Sequence, residues 1–394
     1  MGGDEGANLD DAALLALGAA ALRIDPGLAY AFRSPWKRAL GAGLDAFTGR
    51  FQSLQSELDR EKLESVVALR LDHLGDMVMS LPALEALRRA APQARLTLVV
   101  GPWNQELARL WGRADRVEVW EAPWFCRPQR QTSLGHLRSL AALLQGHDLG
   151  VELRGDLRSI LALRMAGVPQ RLGISRTGGR SLLTHPQPFV PGMHEADQAS
   201  HALGGLPVRA AGRIPRLRIS RDDEAQARAA WRSLGLRGKV VAFQVTSGAR
   251  SKAWPLQRWA RVIDGLPRGM SAVVLGSPQE YELTQELAAL CRRPPALAAR
   301  QLPVGPLAAF LARCAALVSL DTGPAHLAAA LGIPTVALFG PTLASRYAPR
   351  GPRARYLEAM PPCKPCSLER CPFGNACMQR IRPQQVLRAL KEAL

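Results

Sequence analysis

A polar turn between an apolar run and a proline-led helix combines the residue types best suited to bind an anion. Residues 315–320 predict a buried parallel strand, Pro324 suits the first turn of the next helix, and Gly332 and Pro334 end that helix. Such a unit directs free N–H groups and the helix dipole towards the sheet edge that binds phosphates. The alternative is an ordinary strand–helix unit with a polar turn. The candidate ligands are Asp321, Thr322, Gly323, Pro324 and His326.

A second polar loop, residues 246–255, follows the predicted strand Val240–Val245. It contains Thr246, Ser247, a glycine and Lys252, and small hydroxyl residues with glycine and lysine between a strand and a helix suit a phosphate cradle. The glycine–lysine spacing is not that of a Walker A loop. A solvated lysine is the alternative interpretation.

Two carboxylates, Asp72 and Asp76, follow the first predicted strand, Val66–Leu71. Gly75 permits a sharp turn, and Asp76 falls at the start of the predicted helix that follows. A helix N-terminus favours the ionised carboxylate, which a general base requires. The alternative is a plain helix cap.

Four cysteines lie within fifteen residues near the C-terminus: Cys363, Cys366, Cys371 and Cys377. In a chain expected to be cytoplasmic, this clustering favours a metal over disulfides. Four thiolates suit tetrahedral zinc, whereas the spacing matches no familiar iron–sulfur motif. We predict a structural zinc site, with reduced thiols or disulfides as the alternative.

The composition indicates a basic globular protein. The chain has 394 residues, enough for two domains, and 51 basic against 33 acidic residues give a net charge of +18. This charge favours polyanionic partners: nucleic acid, an anionic membrane face or a phosphorylated substrate. Acidic residues precede the apolar stretch Ala12–Leu22, which argues against a signal peptide, and we expect a cytoplasmic protein.

Residues 1–62 are predicted to form a helical extension that precedes the main body of the protein. A stripe at helical spacing is flanked by basic residues, and it predicts either a helix on the inner face of the cytoplasmic membrane or one packed on the protein body. The stripe comprises Trp36, Leu40, Leu44, Phe47 and Phe51.

From Ser65 onwards the chain alternates between predicted strands and helices, which indicates an α/β protein with parallel sheets. Residues 178–215 interrupt the pattern, and their Gly, Pro and His content predicts a loop that ends in an interdomain link. The predicted domains are 63–210 and 211–360, followed by a cysteine-rich segment and C-terminal helix over 361–394. We expect the last helix, Gln384–Leu394, to pack back on the first domain.

Three segments together resemble glycosyltransferase family nine, the ADP-heptose:lipopolysaccharide heptosyltransferases. Its donor signature is matched from Asp321 to Pro334 and continued by Phe339-Gly340-Pro341-Thr342. Its second donor loop ends in Lys-x-Trp-Pro, as residues 252–255 do. Its N-terminal signature, Arg-x-x-x-x-Gly-Asp, matches residues 70–76. The resemblance covers the chain from about Ser65 and implies two Rossmann-like domains facing across a cleft, the GT-B arrangement.

The resemblance also assigns roles. Asp76 matches the proposed general base, whereas Asp72 falls at a position that varies in the family. Lys252 matches the lysine that neutralises the donor diphosphate. Residues 148–159 resemble a further family segment, from which Arg154 and Arg158 would bind an acidic acceptor; a salt-bridged helix start is equally consistent with these arginines.

We therefore predict an inverting, metal-independent glycosyltransferase. The donor would be ADP-heptose and the acceptor a lipopolysaccharide core or another lipid-linked glycan, without nucleic acid or a catalytic cofactor. A sugar-nucleotide epimerase of similar fold is the enzymatic alternative, but it needs two acid/base residues where only Asp76 is evident. The non-enzymatic alternative is a basic, zinc-containing nucleic-acid-binding protein. Such a protein should have aromatic residues interleaved with the basic ones, whereas only 5% of the residues in this chain are aromatic.

Overall fold

A computed structural model describes residues 58, 63–126, 128–206, 214–298, 302–366 and 368–394. One compact unit ends at Ser220 and the other begins at Arg221. The predicted boundary between residues 210 and 211 lies outside the described residues, as does the extension apart from Leu58. No helix in the described part of the chain is long and apolar enough to cross a membrane.

The first unit is a six-stranded parallel sheet in the order β3-β2-β1-β4-β5-β6. Its strands are β1 (Ser65–Arg70), β2 (Arg95–Val100), β3 (Arg116–Val119), β4 (Leu149–Glu152), β5 (Gln170–Ile174) and β6 (His185–Gln187). Its helices are α1 (Leu74–Ala90), α2 (Gln105–Trp111), α3 (Leu134–Leu144), α4 (Leu157–Met165) and α5 (Glu195–His201). The central strands β1 and β4 are buried along their whole length, as apolar strands covered on both faces require.

The second unit repeats this topology, in the order β12-β11-β10-β7-β8-β9. Its strands are β7 (Lys239–Gln244), β8 (Met270–Leu275), β9 (Ala296–Ala298), β10 (Ala316–Leu320), β11 (Thr335–Phe339) and β12 (Ala354–Glu358). Its helices are α6 (Arg221–Ser233), α7 (Leu256–Asp264), α8 (Tyr281–Leu290), α9 (Val304–Arg313), α10 (Gly323–Ala330), α11 (Ala344–Tyr347), α12 (Ala376–Gln379) and α13 (Pro383–Ala393). Read from β9, the order is that of dinucleotide-binding domains, and the first unit has the same order read from β3. The predicted α/β class with two Rossmann-like domains is confirmed.

Two expectations about local structure are wrong. Helix α1 begins at Leu74, so Gly75 lies within its first turn, and the chain bends before the helix, at Asp72. The last helix, α13, packs within the second unit rather than on the first domain. Its apolar side chains Val386 and Leu390 join the core around Trp254 and Trp259, since this core offers the hydrophobic surface that its amphipathic face requires.

Candidate active site

The candidate site residues of each unit lie where its strand order reverses. In the first sheet the adjacent strands β1 and β4 lead into Asp76 and Arg154, respectively. In the second sheet the adjacent strands β7 and β10 lead into Lys252 and Asp321. Open α/β sheets bind ligands outside the carboxyl ends of the strands at this topological switch point. Sequence-distant residues predicted to act together are therefore neighbours within each unit.

Asp76 lies in the first turn of α1, and its side chain is 29% exposed. One carboxylate oxygen, Oδ1, is 3.7 Å from Nη2 of Arg70, the buried last residue of β1. Arg70 is itself fixed by donating to the carbonyl of Leu153 at 3.1 Å. His73, not Asp76, occupies the N-cap position of α1. Asp76 is thus a carboxylate next to a fixed cation and open to a substrate hydroxyl.

Asp72, the competing carboxylate, is buried with 1% of its surface exposed. Its two oxygens pair with Nε of Arg70 at 2.8 Å and with Nε of Arg154 at 3.0 Å. Burial raises the pKa of Asp72 to about 6, although the charges of Arg70 and Arg154 oppose the rise. Because Asp72 is inaccessible and holds both arginines, its geometry suits a supporting role and favours Asp76 as the base.

Arg154 and Arg158 each place the guanidinium group over an aromatic ring. The guanidinium carbon of Arg154 is 4.3 Å from the ring centre of Phe125, and that of Arg158 is 4.4 Å from the ring centre of Trp124. The side chains remain 32% and 39% exposed. Stacking orients a guanidinium while leaving its other face and edge for an anion. These two arginines form a cationic surface that could bind phosphate or carboxylate groups.

Asp156 caps α4 and fixes Arg158. Its Oδ1 accepts from the Arg158 backbone N–H at 3.0 Å and from Nε at 2.9 Å, and its Oδ2 lies 2.6 Å from Nη2. Burial raises the pKa of Asp156, but the hydrogen bonds and charge of Arg158 outweigh burial and hold that pKa below its ordinary value. The salt-bridged helix start anticipated for this segment therefore coexists with a partly exposed guanidinium.

Glu152 is a buried acid that the sequence motifs did not single out. It ends β4, and its Oε2 accepts from the backbone N–H groups of Arg154 at 3.1 Å, Asp156 at 3.2 Å and Gly155. Burial, followed by the charge of Asp156, raises the pKa of Glu152 to about 8. An acid at the end of a buried strand before an Arg-Gly-Asp turn was the available signal. Glu152 shapes the turn that carries Arg154.

In the second unit, Lys252 and Asp321 form an ion pair. Lys252 Nζ lies 2.6 Å from Asp321 Oδ2 and donates to the Asp321 carbonyl at 3.1 Å. The hydroxyl of Thr342 donates to the same carboxylate oxygen at 2.7 Å. The side chains of Lys252 and Asp321 are 22% and 9% exposed. The lysine loop, the start of the donor signature at Asp321 and its continuation at Thr342 therefore meet at one point.

The other predicted donor residues surround this pair. Thr322 is the N-cap of α10, but its hydroxyl contacts Ser319 Oγ at 2.9 Å instead of capping the helix. Pro324 lies in the first turn as predicted, and His326 is buried, with 4% exposure.

In the lysine loop, residues 246–255, the hydroxyl groups bond locally. Thr246 Oγ1 accepts from Gln244 Nε2 at 2.7 Å, and the Ser247 hydroxyl donates to the Ala249 carbonyl at 2.8 Å.

The four clustered cysteines are free thiols. Burial, followed by the nearby thiols of Cys371 and Cys366, raises the pKa of Cys377 to about 11. Over the described ranges, no group of three or more His, Cys, Asp or Glu side chains is arranged to hold a metal ion. The zinc site expected from the sequence therefore stays a prediction.

The fold is similar to those of solved glycosyltransferases. The structure of the glycosyl transferase family 9 from Veillonella parvula DSM 2008 has a TM-score of 0.73 and 26% identity, over 86% of this chain and 99% of that one. The E. coli ADP-heptose lps heptosyltransferase II has a TM-score of 0.67 and 21% identity, over 84% of this chain and 98% of that one, and it supports the fold alone. Fold and switch-point sites together define a two-domain α/β glycosyltransferase.

The sequence comparison names the family. Lipopolysaccharide heptosyltransferase 1 of Pseudomonas aeruginosa is 25% identical over 361 residues, which cover 84% of this chain and 98% of the relative. Residues 137–377 match glycosyltransferase family 9 (heptosyltransferase), and the chain belongs to that family. Of the three functions considered from the sequence, this result supports the glycosyltransferase and not the epimerase or the nucleic-acid-binding protein.

Proposed function

We propose that this chain transfers a heptose from ADP-heptose to a lipopolysaccharide core sugar or a related glycan, with inversion at the anomeric carbon. The relatives that match most of its length are heptosyltransferases by name. The observation that carries the proposal is chemical: one switch point presents a partly exposed carboxylate and the other a lysine beside a helix N-terminus. Those are the groups that deprotonation of an acceptor and departure of a diphosphate require.

In the proposed reaction, the acceptor hydroxyl oxygen attacks the anomeric carbon from the face opposite the diphosphate. The new carbon–oxygen bond forms as the bond to the phosphate oxygen breaks, and ADP leaves. The hydroxyl proton passes to the Asp76 carboxylate. The 3.7 Å separation from Arg70 supports this role, because the cation orients the carboxylate without enclosing it.

The departing negative charge is stabilised in the second unit. Lys252 exchanges part of its contact with Asp321 for the diphosphate, and the N–H groups at the start of α10 contribute their dipoles. Asp321 then hydrogen-bonds the sugar or the ribose. No catalytic metal takes part in this scheme, because a lysine and a helix N-terminus provide the positive charge.

Arg154 and Arg158 are proposed to bind acidic groups of the acceptor. Their stacking on Phe125 and Trp124 supports this role, since an orientated guanidinium loses less freedom when it binds a carboxylate or phosphate.

A transfer assay tests the proposal. ADP-heptose, GDP-sugars and UDP-sugars would each be incubated with the enzyme and a delipidated core oligosaccharide, and products followed by mass spectrometry and NMR. We expect heptosylated acceptor and ADP in equal amounts, with inverted configuration, from ADP-heptose. Transfer from UDP- or GDP-sugars alone, or isomerised donor without transfer, would overturn it.

We further propose that the enzyme works at the inner face of the cytoplasmic membrane, where residues 1–62 hold it near a lipid-linked acceptor. This proposal rests on the sequence stripe and its basic neighbours, each of which adds about 1 kcal/mol near an anionic surface. Deleting residues 1–62 should abolish binding to anionic vesicles while sparing transfer to a soluble acceptor. An insoluble or unfolded truncated protein would instead show that the stripe packs on the catalytic body.

A further inference from the structure

The cysteine-rich segment, residues 361–382, contacts the lysine loop through hydrogen bonds. The backbone N–H of Ser251 donates to the carbonyl of Glu369 at 2.9 Å, and the Ser251 hydroxyl donates to the carbonyl of Leu368. The indole N–H of Trp254 donates to the carbonyl of Ile381 at 3.2 Å. Residues on both sides of Lys252 are therefore attached to a segment more than a hundred positions further along the chain.

Asn375 contacts the turn on both sides of Lys252. Its side-chain amide donates to the Arg250 carbonyl at 2.9 Å and to the Ala253 carbonyl at 3.1 Å. These carbonyls bracket Lys252, so one side chain closes the short turn that presents it. Asn375 has a φ of 59°, in the left-handed region that asparagine tolerates better than most residues. An unfavourable backbone conformation is retained where the surrounding contacts require it.

The same segment also reaches the loop that supports Asp321. The backbone N–H of Cys366 donates to the carbonyl of Pro341 at 3.1 Å. A Cβ added at Gly340 would lie 2.3 Å from Met378 Sδ, so the loop at Gly340 and the cysteine-rich segment are in close contact there. Thr342, whose hydroxyl bonds to Asp321, is two residues away. The cysteine-rich segment thus contacts both the loop that carries Lys252 and the loop whose Thr342 bonds to Asp321.

We infer that the cysteine-rich segment is part of the donor site, and that Asn375 is a positioning residue that fixes Lys252 for the donor diphosphate. This inference rests on the proposed donor role of Lys252. If the turn were flexible, each incoming donor would have to order it, at a cost in conformational entropy. The two amide hydrogen bonds of Asn375 order the turn beforehand and so reduce this entropic cost of binding. Asn375 itself does not touch the donor in this scheme.

Asn375→Gly tests the inference, because glycine keeps the left-handed backbone and removes only the amide. Two hydrogen bonds of ordinary strength predict a rise of about five- to 150-fold in the Kd for ADP, measured by calorimetry. The KM for ADP-heptose should rise in parallel, with a smaller change in kcat. Gln226→Ala is the matched control, since it removes an exposed side-chain amide bond to Asp222 in α6, outside both the cysteine-rich segment and the lysine loop. Its Kd should match that of the unmutated enzyme.

A double-mutant cycle separates this inference from the function on which it rests. If Asn375 acts through Lys252, Asn375→Gly should weaken ADP binding much less in a Lys252→Ala background. Full additivity, or a lowered Tm with unchanged ADP affinity, would overturn the positioning role alone. Unchanged ADP affinity in Lys252→Ala would overturn the donor role of the lysine itself. Asn375→Asp, which keeps the size but cannot donate, repeats the measurement if the glycine variant does not fold.

Discussion

Replacing Lys252 by alanine would remove two electrostatic interactions at once. The first is the proposed contact with the donor diphosphate, and a charge-assisted contact of this kind contributes about 1.5–3 kcal/mol. The second is the 2.6 Å pair with Asp321. Without the lysine, the carboxylate keeps its bond from Thr342 but faces an anionic ligand. Two like charges about 5 Å apart repel by about 3 kcal/mol at an effective dielectric constant of about 20.

Together these effects, about 4.5–6 kcal/mol, predict about 10³–10⁴-fold weaker binding of ADP to Lys252→Ala, measured by calorimetry at low salt. Adding Asp321→Asn should recover about a hundredfold of the loss, because it removes the repulsion of about 3 kcal/mol but restores no contact. The exposed Lys391→Ala controls for the general loss of one positive charge. An ADP affinity for Lys252→Ala within twofold of the Lys391→Ala value would refute the reasoning. So would a double variant that binds no better than the single one.

Three further predictions concern the base, a buried acid and the thiols. Asp76→Asn should lower turnover by about 10²–10⁴ with ADP affinity nearly unchanged, and turnover close to that of the unmutated enzyme would remove Asp76 from the mechanism. Glu152 has its pKa raised from 4.5 to about 8, so the folded protein keeps a proton that the unfolded chain has lost between those values. The free energy of unfolding should fall as pH rises from about 4.5 to 8, by at most about 5 kcal/mol, and urea titrations at several pH values should show a flatter profile for Glu152→Gln. If the clustered cysteines bind zinc, elemental analysis should find about one equivalent per chain, whereas four titratable thiols in metal-free protein purified without chelator would exclude the site.

The strands that carry the site could be predicted because they are short apolar runs bounded by glycine, proline or polar turn residues. The predicted strands Val66–Leu71, Val240–Val245 and 315–320 differ by at most one residue at each end from the observed β1, β7 and β10. The edge strands β6, β9 and β12 were not anticipated. The first two are three residues long, and β12 is largely uncovered, so these strands lack the continuous apolar signal of a buried strand.

The contacts within the site were less accessible to sequence reasoning. Nothing local indicates that Lys252 pairs with Asp321, which is 69 positions away, because the pairing depends on β7 lying beside β10. The domain on which helix α13 packs was predicted wrongly for a related reason. An amphipathic helix indicates that one of its faces is buried, but it does not indicate which domain buries that face. The supporting role of Asp72 likewise depends on Arg154, which reaches it from the adjacent strand.

The ion pair of Lys252 with Asp321 gives the proposed donor site its own internal counterion. An incoming anion must therefore displace a carboxylate before it can use the lysine. Orthophosphate or sulfate, with few other contacts to offer, competes poorly for this position, whereas a nucleotide diphosphate brings a base and a ribose that add binding energy. A chain with a net charge of +18 can in this way stay selective among the many phosphates around it. We expect this selectivity to come from Asp321, a carboxylate that competes with anions for Lys252.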